Sequence, residues 1–226
     1  RLHISPQGVM SASEVLTPHT ASELETAWGS APFDVYAATE TAGIASPCTY
    51  RKRHVYEDLL IIEPVDRTGN PVPAGTTGAK LLCTVLFSRT LPLIRYEMSD
   101  TVRLGGRDCP CGRAFTVLED IEGRIEDVLQ LPGKTGIVNV HPIVFHHILD
   151  QTAAAGWQII QEASGLRVLM AGLAPGASTE GVRTAVEDAL TDAGVVDTQV
   201  ELRVVERVER TALGKAPFVR GLMGRR

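Results

Sequence analysis

The feature that most constrains this sequence is a small set of soft metal ligands in two distant segments. Cys48 and His54 lie in the first segment, and Cys109 and Cys111 lie in the second, within a Cys-Pro-Cys-Gly turn. Three thiolates and one imidazole are a standard tetrahedral zinc set with no open catalytic position. Exposed free thiols are otherwise avoided on protein surfaces. The sequence therefore predicts a structural zinc site, and the alternative is four unrelated residues with surface thiols.

The composition of the chain argues against nucleic-acid and membrane partners. The chain carries 22 basic and 27 acidic residues for a net charge of −5, which argues against a nucleic-acid partner. Its longest apolar runs, such as 59–62 and 81–87, are too short to span a bilayer, and the first residues do not resemble a secretory signal. We therefore expect a cytoplasmic enzyme without a membrane partner. In a reducing compartment the cysteines favour a metal over disulfides, and Cys83, in an apolar run, is expected to be an inert core thiol.

Local patterns predict an α+β chain in two parts. Helices are expected over 20–29, with Thr20 or Ser22 as the cap and Gly29 as the stop, over 141–151, and over 178–193, which is clearly amphipathic. Strands are expected at 33–36, 57–64, 78–88, 101–104, 115–118, 127–131, 157–162, 166–170 and 200–205, the second and third as an antiparallel pair. After about Gly123 the pattern becomes a compact alternation typical of a small separate domain.

A first chemical motif lies where the strand at 33–36 gives way to a turn. It reads Tyr36-Ala37-Ala38-Thr39-Glu40. The Thr39 hydroxyl can donate to a phosphate oxygen, and the Glu40 carboxylate is a ligand suited to Mg²⁺. Taken alone, a solvated turn is the commoner explanation of such a dipeptide.

Three weaker motifs follow along the chain. An apolar run leads through Arg95 to Asp100, whose two carboxylate oxygens suit the hydroxyls of a ribose. A glycine precedes Arg124 and two acids, for which an exposed charged turn is the alternative. Lys215 follows Gly214 near the end of the chain, where most lysines are simply solvated.

The order of the four motifs resembles that of the adenylate-forming ligases, which include acyl-CoA synthetases, peptide-synthetase adenylation domains and luciferases. That superfamily has a Tyr-Gly-x-Thr-Glu motif, then Arg-Tyr-x-x-x-Asp, a Gly-Arg-x-Asp hinge and a late Gly-Lys. The matching residues here run from Tyr36 to Lys215. The resemblance implies an α+β fold formed by the end of the large adenylation domain, which is mainly β, and a small lid domain.

The resemblance also implies a role for each matching residue. Glu40 resembles the magnesium ligand and Thr39 the phosphate contact, while Tyr36 resembles the residue that lies against adenine. Asp100 and Arg124 resemble ribose contacts, and Ala37 and Ala38 fall where the acyl pocket is expected. Two positions depart from the motifs: Ala37 replaces a glycine, and Glu126 at the hinge replaces the usual aspartate. Lys215 resembles the lid lysine that stabilises charge as a carboxylate attacks the α-phosphate.

The cysteine pattern points to one family within this superfamily. Phenylacetate-CoA ligases and their deazaflavin-adenylylating relatives have a similar arrangement of Cys, His and Cys-Pro-Cys-Gly. In the ligase fold the two loops carrying these residues would come together. Zn²⁺ is therefore the expected structural metal, with Mg²⁺, ATP and CoA as the other cofactors and ligands.

The resemblance also implies that part of the enzyme is missing. The phosphate-clamping loop of the superfamily should lie well before Tyr36, and no Ser, Thr and Gly-rich stretch ending in Lys occurs there. The chain also lacks an initial Met. We expect a fragment whose N-terminal region lies in the same protein or is supplied by a partner, with residues 1–123 ending the large domain and 124–226 forming a mobile lid.

The function expected from these residues is a two-step ligase reaction. A carboxylic acid, expected to be aromatic, attacks ATP to give an acyl-adenylate, and CoA then displaces AMP. Two alternatives stay open: a relative that transfers the adenylyl or acyl group to a hydroxyl or an amine, and a non-catalytic zinc-binding fragment. The fragment alone is expected to be inactive. A homodimer is compatible with the ligase function and with both alternatives.

Overall fold

The computed structural model describes residues 4–13, 15–209 and 218–221, with the backbone alone for Glu126. It divides the chain into two compact units, Arg1–Ile125 and Glu126–Arg226. Strands predominate, and three α-helices occur among the described residues, which confirms the α+β class. No helix in this described part of the chain is both long and apolar enough to cross a membrane.

Among its described residues, the first unit contains two β-sheets and one α-helix. A six-stranded sheet has the order β1-β2-β3-β4-β9-β8, and a three-stranded antiparallel sheet has the order β5-β6-β7. The elements are β1 (Met10–Ala12), α1 (Pro18–Trp28), β2 (Phe33–Ala38), β3 (Ala42–Pro47), β4 (Arg53–Val55), β5 (Leu60–Val65), β6 (Lys80–Val85), β7 (Tyr96–Met98), β8 (Asp100–Leu104) and β9 (Val117–Arg124).

The core of the first unit lies between its two sheets. Side chains from both sheets form one buried cluster, whose members include Ile44, Val55, Leu60, Leu81, Cys83, Val102 and Leu118. The predicted antiparallel pairing of the second and third strands is confirmed, since Leu60 of β5 lies opposite Val85 of β6. Cys83 is fully buried, and burial raises the pKa of its thiol to about 11, as expected of an inert core cysteine.

The start of α1 differs from the sequence-based prediction. The N-cap is Thr17, whose hydroxyl accepts a hydrogen bond from the amide of Thr20 at 3.3 Å, and neither Thr20 nor Ser22 caps the helix. Pro18 explains the difference, because a proline fits the first helical position, where no amide donor is needed. Gly29 ends the helix as predicted, with a left-handed φ of 69°.

The second unit is a small α+β domain. A short 3₁₀ turn (Ile125–Asp127) bridges the two units along the chain, and a four-stranded sheet has the order β14-β13-β12-β15 beside the hairpin β10-β11. The elements are β10 (Leu129–Gly133), β11 (Gly136–Val140), α2 (Ile143–Leu149), β12 (Gly156–Glu162), β13 (Gly165–Ala171), α3 (Thr179–Asp192), β14 (Gln199–Val205) and β15 (Val219–Arg220).

Both helices of the second unit are fixed by local chemistry. Ser178 caps α3 by accepting from the amide of Gly181 at 2.9 Å, and the helix buries Val186 and Leu190. The carboxylate of Asp150, which follows α2, accepts from the indole of Trp157 at 2.7 Å and pairs with Nδ1 of the buried His146 at 3.0 Å. The buried His146 therefore has a structural partner within its own unit.

Several strands begin or end away from their predicted positions. The glycine before Arg124 was expected in a turn but lies in β9, which runs from Val117 to Arg124. The predicted strand at 57–64 begins only at Leu60, because residues 56–59 form a turn in which the amide of Leu60 donates to the carbonyl of Tyr56. The strands β3, β4, β11 and β15 were not predicted.

Candidate nucleotide and metal sites

Two of the predicted nucleotide-binding residues are in direct contact. The hydroxyl of Tyr36, on β2, donates a hydrogen bond to Oδ2 of Asp100, on β8, at 2.7 Å. Three strands separate β2 from β8 in the sheet order, so the six-stranded sheet must curve strongly to bring them together. Burial raises the pKa of Tyr36, and the negative charge of Asp100 raises it further. Tyr36 therefore acts as a neutral donor that orients the carboxylate.

Arg124 completes this cluster from the neighbouring strand. It lies directly opposite Asp100 in the β8–β9 ladder, and its Nε is 3.7 Å from Oδ1 of Asp100. The guanidinium is 59% exposed, whereas the carboxylate is 15% exposed. Asp100 is thus held between a partly buried hydroxyl donor and an exposed cation, and the site opens to solvent on the arginine side.

The other residues of the first motif lie at the end of the same hairpin. Ala37 and Ala38 finish β2, and Thr39 and Glu40 are exposed in the loop that leads to β3. Thr41 at the end of this loop is fully buried, and its hydroxyl donates to the carbonyl of Ala42. The loop therefore presents Thr39 and Glu40 to solvent from a fixed base.

Two predicted residues cannot be placed in a site. Lys215 and its neighbouring Gly214 lie outside the described residues. The backbone of Glu126 lies in the short 3₁₀ turn that follows β9, at the point where the second unit begins. Their roles stay predictions.

The four predicted metal ligands come together in the first unit. Cys48 follows β3 and His54 lies on β4, so the β3–β4 hairpin supplies one pair. Cys109 and Cys111 lie in the loop between β8 and β9. Because β4 pairs with β9, with His54 opposite Val117, this loop reaches the hairpin. All four ligand atoms lie within 4.8 Å of one another.

The distances within this cluster suit a tetrahedral metal site. Sγ of Cys48 is 3.7 Å from Sγ of Cys109, and Sγ of Cys111 is 3.3 Å from Nε2 of His54. Tetrahedral zinc, with ligands at about 2.3 Å for sulfur and about 2.05 Å for nitrogen, separates two sulfurs by about 3.8 Å and sulfur from nitrogen by about 3.6 Å. These two separations are therefore close to those of a metal-centred arrangement.

A hydrogen bond fixes the imidazole of His54 in the orientation that a metal requires. Nδ1 of the buried His54 lies 2.9 Å from the carbonyl oxygen of Phe115. A carbonyl can only accept, so Nδ1 carries the proton, and Nε2, on the side of Cys111, has a free lone pair. Metal-binding histidines commonly use their second nitrogen in this way.

The thiols of the cluster are electrostatically unequal. Burial acts to raise the pKa of Cys48, but hydrogen bonds, including those with the backbone of Lys52 and Tyr50, outweigh it and lower the pKa to about 6. The backbone amide of Cys111 lowers the pKa of Cys109, yet burial and the neighbouring sulfurs of Cys111 and Cys48 raise it overall. Three thiolates this close repel one another, and a divalent cation would remove that repulsion.

Glu57 supports the metal-ligand loop, a role that sequence reasoning did not predict. Its carboxylate accepts from the amide of Thr116 at 3.0 Å, from the Thr116 hydroxyl at 2.8 Å and from Arg107 at 2.9 Å. Arg107 and Thr116 flank the two cysteines of this loop. No motif surrounds Glu57 in the sequence, so only the three-dimensional contacts identify it.

Part of this chain is similar in sequence to known proteins. No family model matches it. It is 33% identical over 121 residues to the phenylacetate-coenzyme A ligase of Thermus thermophilus and 31% identical over 155 residues to that of Aromatoleum evansii. These matches cover 51% and 66% of the chain but only 26% and 33% of the relatives. The chain thus spans a third or less of the length of these enzymes.

A solved structure shares the fold over almost the whole chain. A 2-hydroxyisobutyryl-CoA ligase in its postadenylation state matches 92% of this chain and 46% of its own with a TM-score of 0.72, at 23% identity. At that identity the likeness concerns the fold alone. The chain is thus a relative of the phenylacetate-coenzyme A ligases with the fold of the adenylate-forming acyl-CoA ligases, and it matches a part of those longer enzymes, consistent with their C-terminal portion.

Proposed function

We propose that this chain is the C-terminal part of an AMP-forming acid–CoA ligase. In the first step a carboxylate attacks the α-phosphate of ATP, giving an acyl-adenylate and pyrophosphate. In the second step the thiol of CoA attacks the acyl carbon and AMP leaves. The observation that carries this proposal is the hydrogen bond between Tyr36 and Asp100, because it joins two motifs that are far apart in sequence.

The nucleotide would be held at the β2–β8 side of the first unit. Asp100 would accept hydrogen bonds from the ribose hydroxyls, with its carboxylate oriented by Tyr36 and its charge balanced by Arg124. Tyr36 would lie against the adenine. Thr39 and Glu40 would reach the phosphates from the exposed loop, where the carboxylate could bind the Mg²⁺ that accompanies ATP. Ala37 and Ala38 would border the acyl group.

The two units would have different roles in the reaction. The first, taken as residues 1–123, would be the end of the large adenylation domain, and 124–226 would be the mobile lid. The division of the chain after Ile125 supports a boundary at this position. Glu126 would be the hinge residue, and Lys215 would bring its ammonium to the α-phosphate during the first step.

The metal site would have a structural role. Cys48, His54, Cys109 and Cys111 would hold one Zn²⁺, which supplies a fixed cross-link between two loops and takes no part in the reaction. The donor set, the separations and the Nδ1 hydrogen bond of His54 support this assignment. The four ligands would leave no open position for substrate.

The remaining partners follow from the relatives. An aromatic acid such as phenylacetate is the proposed substrate, with ATP and CoA, in the cytoplasm. The N-terminal region, with the loop for the β- and γ-phosphates, would lie in the same longer polypeptide. The chain by itself would therefore form no acyl-adenylate.

Product analysis of the longer polypeptide tests this proposal. Incubation with ATP, phenylacetate and Mg²⁺ should release pyrophosphate, and added CoA should give AMP and a thioester, each identified by mass spectrometry. A thioester formed from a different acid would change the proposed substrate and leave the proposed reaction unchanged. Transfer to a hydroxyl or an amine instead of CoA would favour the alternative acceptors. No adenylate with any acid would contradict the proposal, and robust pyrophosphate release by the 226-residue chain alone would contradict the inferred truncation.

A further inference from the structure

The three cysteines of the candidate metal site differ in their access to solvent. Cys48 is 6% exposed and Cys109 is 9% exposed, whereas Cys111 is only partly buried. Sγ of Cys111 accepts a hydrogen bond from the backbone amide of the exposed Arg113 at 3.5 Å. A small reagent in solution therefore reaches the sulfur of Cys111 more easily than the other two sulfurs.

The two segments that carry the ligands are rich in positive charge. Three consecutive basic residues, 51–53, lie between Cys48 and His54, and the segment 107–113 carries two arginines and one aspartate. Reactive cysteines typically occur in positively charged, partly exposed surroundings, because a positive charge favours the thiolate over the thiol. Cys111 lies in such a segment, so its sulfur is the candidate nucleophile of the cluster.

A second sulfur is close enough to react with an oxidised Cys111. The sulfurs of Cys48 and Cys111 both belong to the group of ligand atoms that lie within 4.8 Å of one another, and a disulfide requires about 2.05 Å. Cys109 is separated from Cys111 by Pro110 alone, and so short a ring strains a disulfide. Cys48 lies on the β3–β4 hairpin and is free of that restraint. It is therefore the better placed partner.

We propose that Cys111 and Cys48 form a reversible oxidation site for hydrogen peroxide that releases the metal. The Cys111 thiolate attacks one peroxide oxygen, the O–O bond breaks, and a sulfenic acid forms while hydroxide leaves. The Cys48 thiolate then attacks that sulfur, so an S–S bond forms and a second hydroxide leaves. Two thiolates thus lose two electrons to one peroxide. Cys109 and His54 remain, and two ligands are too few to retain Zn²⁺.

The oxidised form should be reversible because its disulfide still joins the two ligand segments. The hairpin that carries Cys48 and the loop that carries Cys111 would stay linked, so reduction would return both thiolates to the neighbourhood of Cys109 and His54. This inference rests on the zinc assignment within the proposed function and does not depend on the ligase reaction. A longer polypeptide that forms no adenylate would therefore leave it standing.

Zinc release and disulfide mapping on the same sample test the proposal. The zinc-loaded 226-residue chain is treated with hydrogen peroxide beside a chromophoric chelator, and the remaining thiols are then alkylated for peptide mass spectrometry. One zinc should be released for each Cys48–Cys111 disulfide formed, with Cys83 unmodified, and a reductant with added Zn²⁺ should restore the starting protein. A chain that binds no zinc would overturn the inference together with the metal site.

Three other results would overturn the oxidation site alone. The first is zinc retained under conditions that fully oxidise the thiols of the urea-unfolded, metal-free chain. The second is zinc released only with sulfinic or sulfonic acids, because those products are not restored by a thiol reductant. The third is a disulfide that joins two chains or includes Cys83, since Cys83 is fully buried away from the cluster.

A substitution identifies the sulfur that resolves the sulfenic acid. In the metal-free Cys48→Ser chain, peroxide should leave Cys111 as a sulfenic acid that dimedone traps, whereas the metal-free wild type should give the disulfide and little trapped product. Cys83→Ser is the matched control and should behave as the wild type in both zinc release and disulfide formation. A Cys109–Cys111 disulfide formed in Cys48→Ser at the rate of the wild-type reaction would contradict the role of Cys48.

Discussion

Tyr36 and Asp100 are 64 positions apart in the sequence, and the hydroxyl of the first donates a 2.7 Å hydrogen bond to the carboxylate of the second. The contact links the hairpin that carries Thr39 and Glu40 to the strand that carries the proposed ribose ligand. It also fixes which oxygen of Asp100 is occupied, leaving Oδ1 toward Arg124. Tyr36, which the motif predicts to be an adenine contact, therefore also determines the position of the Asp100 carboxylate.

Removing this hydroxyl should affect both stability and nucleotide binding. Tyr36→Phe should lower the free energy of unfolding of the 226-residue chain by about 1 kcal/mol, since a partly buried hydrogen bond to a carboxylate is lost. In the longer polypeptide it should raise the KM for ATP about tenfold, because the Asp100 carboxylate is no longer held in position. Urea denaturation and steady-state kinetics measure the two effects. Tyr50→Phe, at an exposed position, should change neither, and an unchanged KM in Tyr36→Phe would argue against the ribose assignment.

The same hydroxyl predicts a pH dependence of stability. Burial and the charge of Asp100 raise the pKa of Tyr36 in the folded chain above the value of about 10 expected when unfolded. The folded state therefore holds this proton more tightly, and the contribution is fully present below pH 10 and is lost as the pH rises above it. Urea midpoints from pH 8 to 11 should fall more steeply for the wild type than for Tyr36→Phe. Parallel curves would mean that the Tyr36 pKa is not raised.

Thiol reactivity should report the metal directly. Purified without chelator, the chain should contain one zinc, and a thiol reagent should label none of the four cysteines rapidly. After zinc removal, Cys48, Cys109 and Cys111 should react, while the buried Cys83 stays slow. Cys109→Ser should abolish zinc binding and lower the melting temperature by roughly 5–10 °C, because structural zinc contributes to folding free energy. Cys83→Ser is the control that should retain zinc, and less than about half an equivalent of zinc in untreated wild-type protein would count against the site.

Glu57 offers a test of how the metal loop is held. Glu57→Gln replaces an oxygen acceptor with an amide donor facing Thr116 or Arg107, so it should loosen the loop that carries Cys109 and Cys111. Zinc affinity, measured by competition with a chromophoric chelator, should fall about tenfold or more. Glu63→Gln is the matched control, since Glu63 pairs with Arg95 on the other sheet. An equal effect in both variants would point to a general loss of stability.

The elements that were predicted well have local causes. Helix α3 combines an amphipathic pattern with the Ser178 cap, and it occurs within one residue of the expected bounds at each end. The strands that were missed are short or irregular, such as β4, which has three residues and follows the charged turn Arg51-Lys52. Such a strand is stabilised by its neighbours β3 and β9 and not by its own composition. The cap of α1 differs from the prediction because Pro18 fits the first helical position and makes Thr17 the cap.

In the candidate sites too, residue types could be predicted from the sequence, whereas contacts between distant residues could not. The residue types at Cys48, His54, Cys109 and Cys111 predicted a cluster, and the structure brings them together. The Nδ1 partner of His54 is a backbone carbonyl, which no sequence pattern can identify. Likewise, the contact of Tyr36 with Asp100 requires the curvature of the whole sheet. Residue identity predicted the chemistry, whereas the fold determined which groups orient it.

The sharpest test of the proposed reaction concerns Lys215, which lies outside the described residues. The hypothesis is that its ammonium stabilises negative charge building on the α-phosphoryl oxygens as the carboxylate attacks, with Gly214 giving the backbone freedom to reach the site. Loss of such a contact costs about 3–4 kcal/mol, or two to three orders of magnitude in rate. Lys215→Ala in the longer polypeptide should therefore cripple adenylation.

The second half-reaction provides the internal control for Lys215. Thioester formation from a preformed acyl-adenylate would use the lid with this lysine turned away, so its rate should stay within a few-fold of the wild type. Single-turnover assays of pyrophosphate release and of thioester formation separate the two steps, and Lys52→Ala, an exposed lysine of the first unit, should alter neither. If both half-reactions fell equally, or neither did, Lys215 would not be the lid lysine, because a residue acting on the α-phosphate must distinguish the step in which that phosphate is attacked.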